Sequence, residues 1–214
     1  MNPAIKLLLG FLIAFEISFI TNITLNVVII VACLAYLIWK RVNIKTVATF
    51  CLIALLPALG IFFSQFYYGD GLIMGTALFT RLYAYVLLGL SFSLTTYMVD
   101  LANSLEQNAH VPAKFVYGVL AAINLVPRLQ YEIKVIRANG NMRGKVLHPW
   151  MPTFYFKALI VTISWSNDLA QAMESQGFVE NQPRTFFKIS KIHPKDWIIL
   201  LATLIIVQSI IFIH

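Results

Sequence analysis

The chain has 214 residues, of which 59% are hydrophobic, 14% aromatic and only 12% charged, with a formal net charge of +7 and a mean hydropathy of +0.79. That is more apolar surface than one water-soluble domain of this length can bury, so the composition excludes an ordinary soluble globular protein and points to an integral membrane protein. The surplus of 16 Lys and Arg over 9 Asp and Glu matters through its placement, because basic residues orient membrane segments.

Apolar blocks near residues 5–20, 23–39, 47–66, 72–98 and 196–213 approach the length of a span, about 20 residues at about 1.5 Å rise each. Lys6 is the only early charge and no small-residue cleavage site precedes the second block, so the N-terminus is expected to stay on as the first helix rather than act as a signal. The first two blocks are separated only by Thr21-Asn22, which predicts one tight hairpin. Cys33 and Cys51 lie inside apolar blocks and form no CxxC or ligand cluster; a thiol there behaves as a small hydrophobe.

The connection "KRVNIK" carries Lys40, Arg41 and Lys45, whereas the connections around Thr21-Asn22 and "YYGDG" carry no basic residue. The positive-inside rule therefore puts "KRVNIK" in the cytoplasm, together with the N-terminus and everything from 99 to 195, and leaves His214 outside. That long segment holds eleven of the sixteen Lys and Arg (114, 128, 134, 137, 143, 145, 157, 184, 188, 191 and 195). The expected organisation is a multi-pass, all-α plasma-membrane protein of about five transmembrane helices plus two or three long amphipathic cytoplasmic helices. Its parts are a four-span bundle over 1–98, a cytoplasmic-side helical region over 99–195, and a last span over 196–214.

Within 99–195 the period is helical. Val119, Ile123, Val126, Leu129, Ile133 and Ile136 recur at spacings of three and four, while Arg128, Glu132 and Arg137 take other directions. A second such stretch runs from about Pro152 to Gln176, with Phe154, Leu159, Ile160, Ile163, Trp165, Leu169 and Met173 against Asp168, Gln171 and Glu174. A shorter one, "VDLANSLEQN", follows the fourth block. Pro112 breaks the chain before the first long helix, and Pro149 with Pro152 before the second.

Each long helix ends in a small-residue turn, Met142-Arg143-Gly144 in one and Ser175-Gln176-Gly177 in the other. One reading is termination alone: Gly supplies a left-handed cap, and Arg143 with Lys145 complements the negative end of the helix dipole. The other adds docking. A guanidinium at the exposed end of a rigid helix suits an acidic groove, where it forks onto carboxylate, and Gln176 offers neutral hydrogen bonds in an equivalent groove. The two readings are compatible.

"LVPRLQYEIKVIRANGNMRG", then "DLAQAMESQGF", then "QPRTFF" resemble the transmembrane (T) component of energy-coupling factor (ECF) type ABC importers, the EcfT/CbiQ-like family. That family has two Ala-Arg-Gly-like tips on coupling helices, the second followed by Arg-Thr. "TRLYAYVLLGLSFSLTT" resembles the span before its coupling region. The resemblance covers roughly 75–196, and the wording "NLVPR", "MRGK" and "AMESQGF" is nearest to components of hydroxymethylpyrimidine or thiamine importers. Met142 stands where the family has Ala, and Gln176 where it usually has Arg.

The resemblance implies a prokaryotic scaffold rather than an enzyme. The residues Met142, Arg143, Gly144, Ser175, Gln176 and Gly177 would dock two ATPase subunits, a homo- or heterodimer, which bind the ATP and Mg. A small membrane S component would capture a vitamin, its precursor or a metal ion. No cofactor is expected in this chain and no nucleic acid among its partners. Consistent with that, the sequence has no GxxxxGK[ST] phosphate loop.

Glu16 and Arg81 fall within spans, where ionisable groups are costly; one reading has each pair inside the bundle or meet the substrate subunit, and the other puts Glu16 close to the extracellular surface. His110, His148, His193 and His214 lack metal-ligand spacing, and Trp150, Trp165, Trp197, Tyr67 and Tyr68 stand where interfacial anchors belong. Three rival classes remain. An intramembrane enzyme would need a Ser/His pair, an HExxH helix or clustered aspartates. A self-contained carrier would show inverted repeats. A protein binding anionic lipid is permitted by the basic 99–195 region.

Overall fold

The computed structural model describes every residue except 70, 145–147, 149–150, 180–181, 183–184, 187–188 and 214. Lys145, Pro149, Trp150, Arg184 and His214, all used above, therefore lie outside the described residues. The protein is all-helical. Among the described residues there are eight helices: α1 Pro3–Phe19, α2 Ile23–Trp39, α3 Ile44–Tyr68, α4 Leu72–Ser93, α5 Met98–Asn108, α6 Ala113–Met142, α7 Pro152–Ser175 and α8 Pro194–Ile213. They form two compact units, Met1–Ser104 with Ser190–His214, and Leu105–Ile189.

In the first unit, asparagines start three helices. The side chains of Asn2, Asn22 and Asn43 accept from the backbone N–H groups of Ala4, Thr24 and Lys45 at 3.0, 2.9 and 3.1 Å, satisfying donors that a helix leaves orphaned at its start. Among the described residues, three helices are long and apolar enough to cross a membrane: α3, α4 and α8. The expectation of about five spans meets a geometric limit here, because α1 and α2 have 17 residues each. That is roughly 26 Å of helix against a hydrocarbon core of about 30 Å.

The fourth apolar block, expected to run to residue 98, ends at Ser93. The ladder tightens there, the Thr95 N–H donating to the Phe92 carbonyl three residues back, as helix ends commonly do. Lys6 donates to the hydroxyls of Thr95 and Thr96 just beyond that end.

Helix α4 is the hub, packing against α1, α2 and α3, while α8 lies on α1 and α2. Helices in lipid gain little from apolar burial as such, so close approach through small residues carries the packing. Ala54 and Ala58 of α3 and Ala77 and Ala84 of α4 are buried accordingly. A Cβ on Gly75 would meet the Phe62 carbonyl oxygen at 3.3 Å, so glycine there lets the backbones of α3 and α4 come together. A contiguous apolar core of Ile13, Ile17, Leu25, Ile29, Leu37 and Leu87 joins Val207 of α8. The turn between α1 and α2 is as short as the sequence implies, yet the two helices barely touch; each packs on α4, and a cleft opens between them.

The second unit is built on α6 and α7. Pro112 and Pro152 do sit at their starts, as N-cap and first helical residue respectively. The rings of Tyr117 and Phe178 meet edge-on at 5.7 Å. The Arg128 guanidinium lies over Trp165 at 6.0 Å and that of Arg137 over Phe154 at 5.6 Å. Residue numbers rise in one helix as they fall in the other, so α6 and α7 run antiparallel, with Ile136 and Phe154 buried together against Ile133 and Ala158. Of the predicted apolar stripe on α6, Val119, Ile123 and Val126 are exposed, while Leu129 and Ile133 are partly covered and Ile136 is buried. Trp165, expected as an interfacial anchor, is half-buried under Arg128.

Candidate functional site: two helix tips

Both predicted tips are built as helix terminations. At the end of α6 the N–H of Arg143 donates to the Gly140 carbonyl and that of Gly144 to the Asn141 carbonyl, each at 3.0 Å. Gly144 has φ +67°. At the end of α7, Gln176 is the cap residue. The Gly177 N–H donates to Glu174 and the Phe178 N–H to Met173, both at 2.9 Å, which is the Schellman pattern, with Gly177 at φ +85°. The apolar residue following this cap, Phe178, packs on Tyr117 and fixes the turn to the neighbouring helix.

Termination does not use the side chains at the tips. Met142, Arg143 and Gln176 are exposed, and Met142 keeps 78% of its surface. The Arg143 guanidinium has no partner among the described residues. Ser175 donates back to the Ala172 carbonyl at 2.8 Å, so it serves its own helix end. Open space surrounds both glycines: a Cβ at Gly144 or Gly177 would touch nothing within 4 Å. Only their positive φ requires glycine.

Because the helices are antiparallel, the tips point from opposite ends of the pair. Gln176, two residues before the Phe178 that packs on Tyr117, lies near the start of α6, and Arg143 at its far end; roughly 40 Å of helix separates them at 1.5 Å per residue. One groove cannot take both.

The two intramembrane charges do not pair with each other. The Arg81 guanidinium donates to the Ile20 carbonyl at 2.8 Å, capping the C-terminal end of α1, where a cation opposes the helix dipole. Glu16 accepts from the Gln208 amide of α8 at 3.1 Å. One further buried atom of each, Glu16 Oε2 and Arg81 Nε, has no hydrogen-bond partner.

Residue spacing alone missed two features of the first unit. Asn26 is fully buried in α2 and donates to the Ala77 carbonyl at 3.1 Å and the Thr80 hydroxyl at 3.2 Å of α4. A lone Asn in an apolar run was the available signal. Asn2 binds the start of α8 through the Asp196 carboxylate at 3.1 Å and the Ser190 hydroxyl at 3.1 Å, and accepts from Ser104. Nothing in one sequence announces a contact across so many residues.

Apolar helices of membrane-spanning length in one unit and a helix pair with exposed, capped tips in the other define a membrane protein that carries more than its spans. The chain belongs to the CbiQ family of cobalt transport proteins, whose family model matches residues 1–185. It is thus a membrane component of a transporter, a non-catalytic subunit, and the family fits the T component of an ECF-type importer. None of the curated proteins matches it.

Proposed function

We propose that this chain is a multi-pass T component that couples two cytoplasmic ATPase subunits to a separate substrate-binding S component in the prokaryotic plasma membrane. The observation that carries the reading is the pair of exposed, glycine-capped tips at opposite ends of one antiparallel helix pair. Two tips so far apart suit two ATPase subunits, a homo- or heterodimer, better than one. Arg143 would dock in an acidic groove and Gln176 in a polar one, with Met142, Gly144, Ser175 and Gly177 shaping the ends. ATP and Mg would be bound by the ATPases. The exposed apolar residues Val119, Ile123 and Val126 of α6 and Leu159, Ile160 and Ile163 of α7 offer a surface for the S component. The wording of the tips favours a vitamin precursor of the hydroxymethylpyrimidine or thiamine type over a metal ion as cargo.

The test is co-purification of the ATPases together with substrate uptake. Removing one partner of a buried charged hydrogen bond commonly costs about 2–5 kcal/mol, whereas a neutral hydrogen bond is worth roughly 0.5–1.5 kcal/mol net. Arg143→Glu is expected to release or uncouple the ATPases with membrane insertion intact. Gln176→Ala should weaken assembly less, and Gln176→Arg should be tolerated. If Arg143→Glu assembles and transports like wild type, Arg143 is a helix-end residue and no more.

A further inference from the structure

We propose that the first unit holds one anionic phospholipid, its phosphate seated between Lys6 and Lys40 and an acyl chain in the cleft between α1 and α2. The inference rests on this unit lying in the bilayer and is independent of the helix tips.

The cleft follows from the packing described above. Because α1 and α2 each bind α4 rather than one another, they leave a space of about 340 Å³ closed at the back by α4 and α8. That volume falls within the ~300–1,000 Å³ of small-ligand pockets. Its wall is mostly apolar, including Leu9, Ile13, Ile29, Leu88 and Val207, and the hydroxyls of Ser91 and Thr203 in it donate back to their own helices. Such a wall offers an acyl chain contact but no hydrogen bonds, and it lacks the converging polar groups that a soluble substrate needs.

Lys6 stands in the same wall. It is half-buried, lies 5.2 Å from the centre of the Tyr36 ring and 6.0 Å from that of Phe92, and donates to Thr95 and Thr96. Among the described residues no carboxylate pairs with it. A cation partly withdrawn from water without a counter-charge is costly, and hydroxyls and ring faces offset that only in part.

The two threonines are shared. Together with Lys40 they line a second, polar recess of about 240 Å³, so Lys6 bridges an aliphatic cleft to a cup whose other cation is Lys40. Lys40 is exposed and rests over Trp39 at 5.6 Å. The Thr96 hydroxyl accepts from Lys6 and keeps its own hydrogen for a further acceptor. Two cations, one free hydroxyl hydrogen and an adjoining acyl-sized cleft complement a phosphodiester with a hydrocarbon tail. The arrangement sits at the end of the bundle where α1 and α3 begin and α2 ends, beside Arg41 and Lys45, the basic end that an anionic leaflet attracts.

The experiment reconstitutes the full chain in vesicles containing a photoactivatable phosphatidylglycerol or a phosphatidylcholine carrying the same acyl-chain probe, and maps the labelled peptides. The expected result is labelling of α1, α2 and α8 from the phosphatidylglycerol, weakened about fivefold by Lys6→Gln and again by Lys40→Gln, since each such lysine near an anionic surface contributes about that factor. Lys45→Gln, at the same end but lining neither cavity, should leave it unchanged. Gly10→Leu, which fills the cleft at a position with open space around its Cβ, should abolish labelling while helix content and monodispersity persist.

Equal labelling by the two lipids, or labelling confined to α6 and α7, overturns the proposal on the wild-type chain alone. Competition by inorganic phosphate as strong as by phosphatidylglycerol, with Gly10→Leu indifferent, would mean a free anion site. Gly10→Leu that leaves lipid labelling intact but expels co-purifying subunits would mean that a partner helix fills the cleft. Either outcome overturns the proposal.

Discussion

Asn26 illustrates how a single polar residue organises apolar helices. Its amide nitrogen spans two acceptors on α4, the Ala77 carbonyl and Thr80 hydroxyl, while its own carbonyl oxygen finds none. Interhelical hydrogen bonds in membranes average about 0.6 kcal/mol and reach about 1.7. Asn26→Ala is therefore expected to cost roughly 1 kcal/mol, and Asn26→Asp more, because it sets carboxylate oxygens against the Ala77 carbonyl and keeps no donor when ionised. Chemical unfolding in micelles measures both, and Asp proving no worse than Ala would remove the donor argument. The sequence displays Asn26 plainly, but its partners depend on which face of α2 meets α4, and an all-apolar run conceals that face. Arg81 shows the same limit. Its cost in a span was legible, whereas its reach to the Ile20 carbonyl needed the long side chain to be seen extending to the end of α1.

At the scale of helices, ends were more legible than faces. Pro112 and Pro152 mark the starts of α6 and α7, and Gly144 and Gly177 mark their ends, because each acts through backbone geometry that the residue itself dictates. Faces depend on what packs against them: on α6, the periodic residues near Ile136 are covered by α7 while Val119 and Val126 are exposed. Continuity misled as well, for the run through 98 is apolar enough to continue α4, yet the helix tightens and ends at Ser93. Pro127 lies inside α6 without ending it. The caps make a quantitative prediction. Gly177→Ala has room for its Cβ but must hold φ near +85°, at roughly 1–2 kcal/mol for a residue with a Cβ. Gly177→Asn, which tolerates this region better, should lose less. Hydrogen exchange of the last turn of α7 should rise in the order Gly, Asn, Ala; an unchanged rate for Ala would mean that the cap does not hold that turn.

For the whole molecule, the testable quantity is orientation. Lys6, Lys40, Arg41 and Lys45 fall at one end of the first unit, and the connections at the other end carry no Lys or Arg among residues 20–22 and 69–71. The basic end is expected to face the cytoplasm. Tyr68→Cys, at a position 94% exposed, should react with an impermeant thiol reagent in intact cells, and Asn141→Cys should react only after the membrane is opened. Efficient outside labelling at 141 would invert the arrangement. Composition made the membrane class readable at once, since no rearrangement of so apolar a chain suits water. What one sequence does not display is the contact that joins distant segments within a unit, such as that of Asn2 with Asp196.

The antiparallel pair has its buried apolar contact off-centre. Ile136 and Phe154 are buried together, about 10 Å of helix from Arg143 along α6 and about 33 Å from Gln176 along α7 at 1.5 Å per residue. Toward the Gln176 end the pair is held by Arg128 over Trp165 and by the ring of Phe178 on Tyr117. With fastenings near both ends, a push on either tip is expected to carry the pair along as one strut rather than to bend it between them.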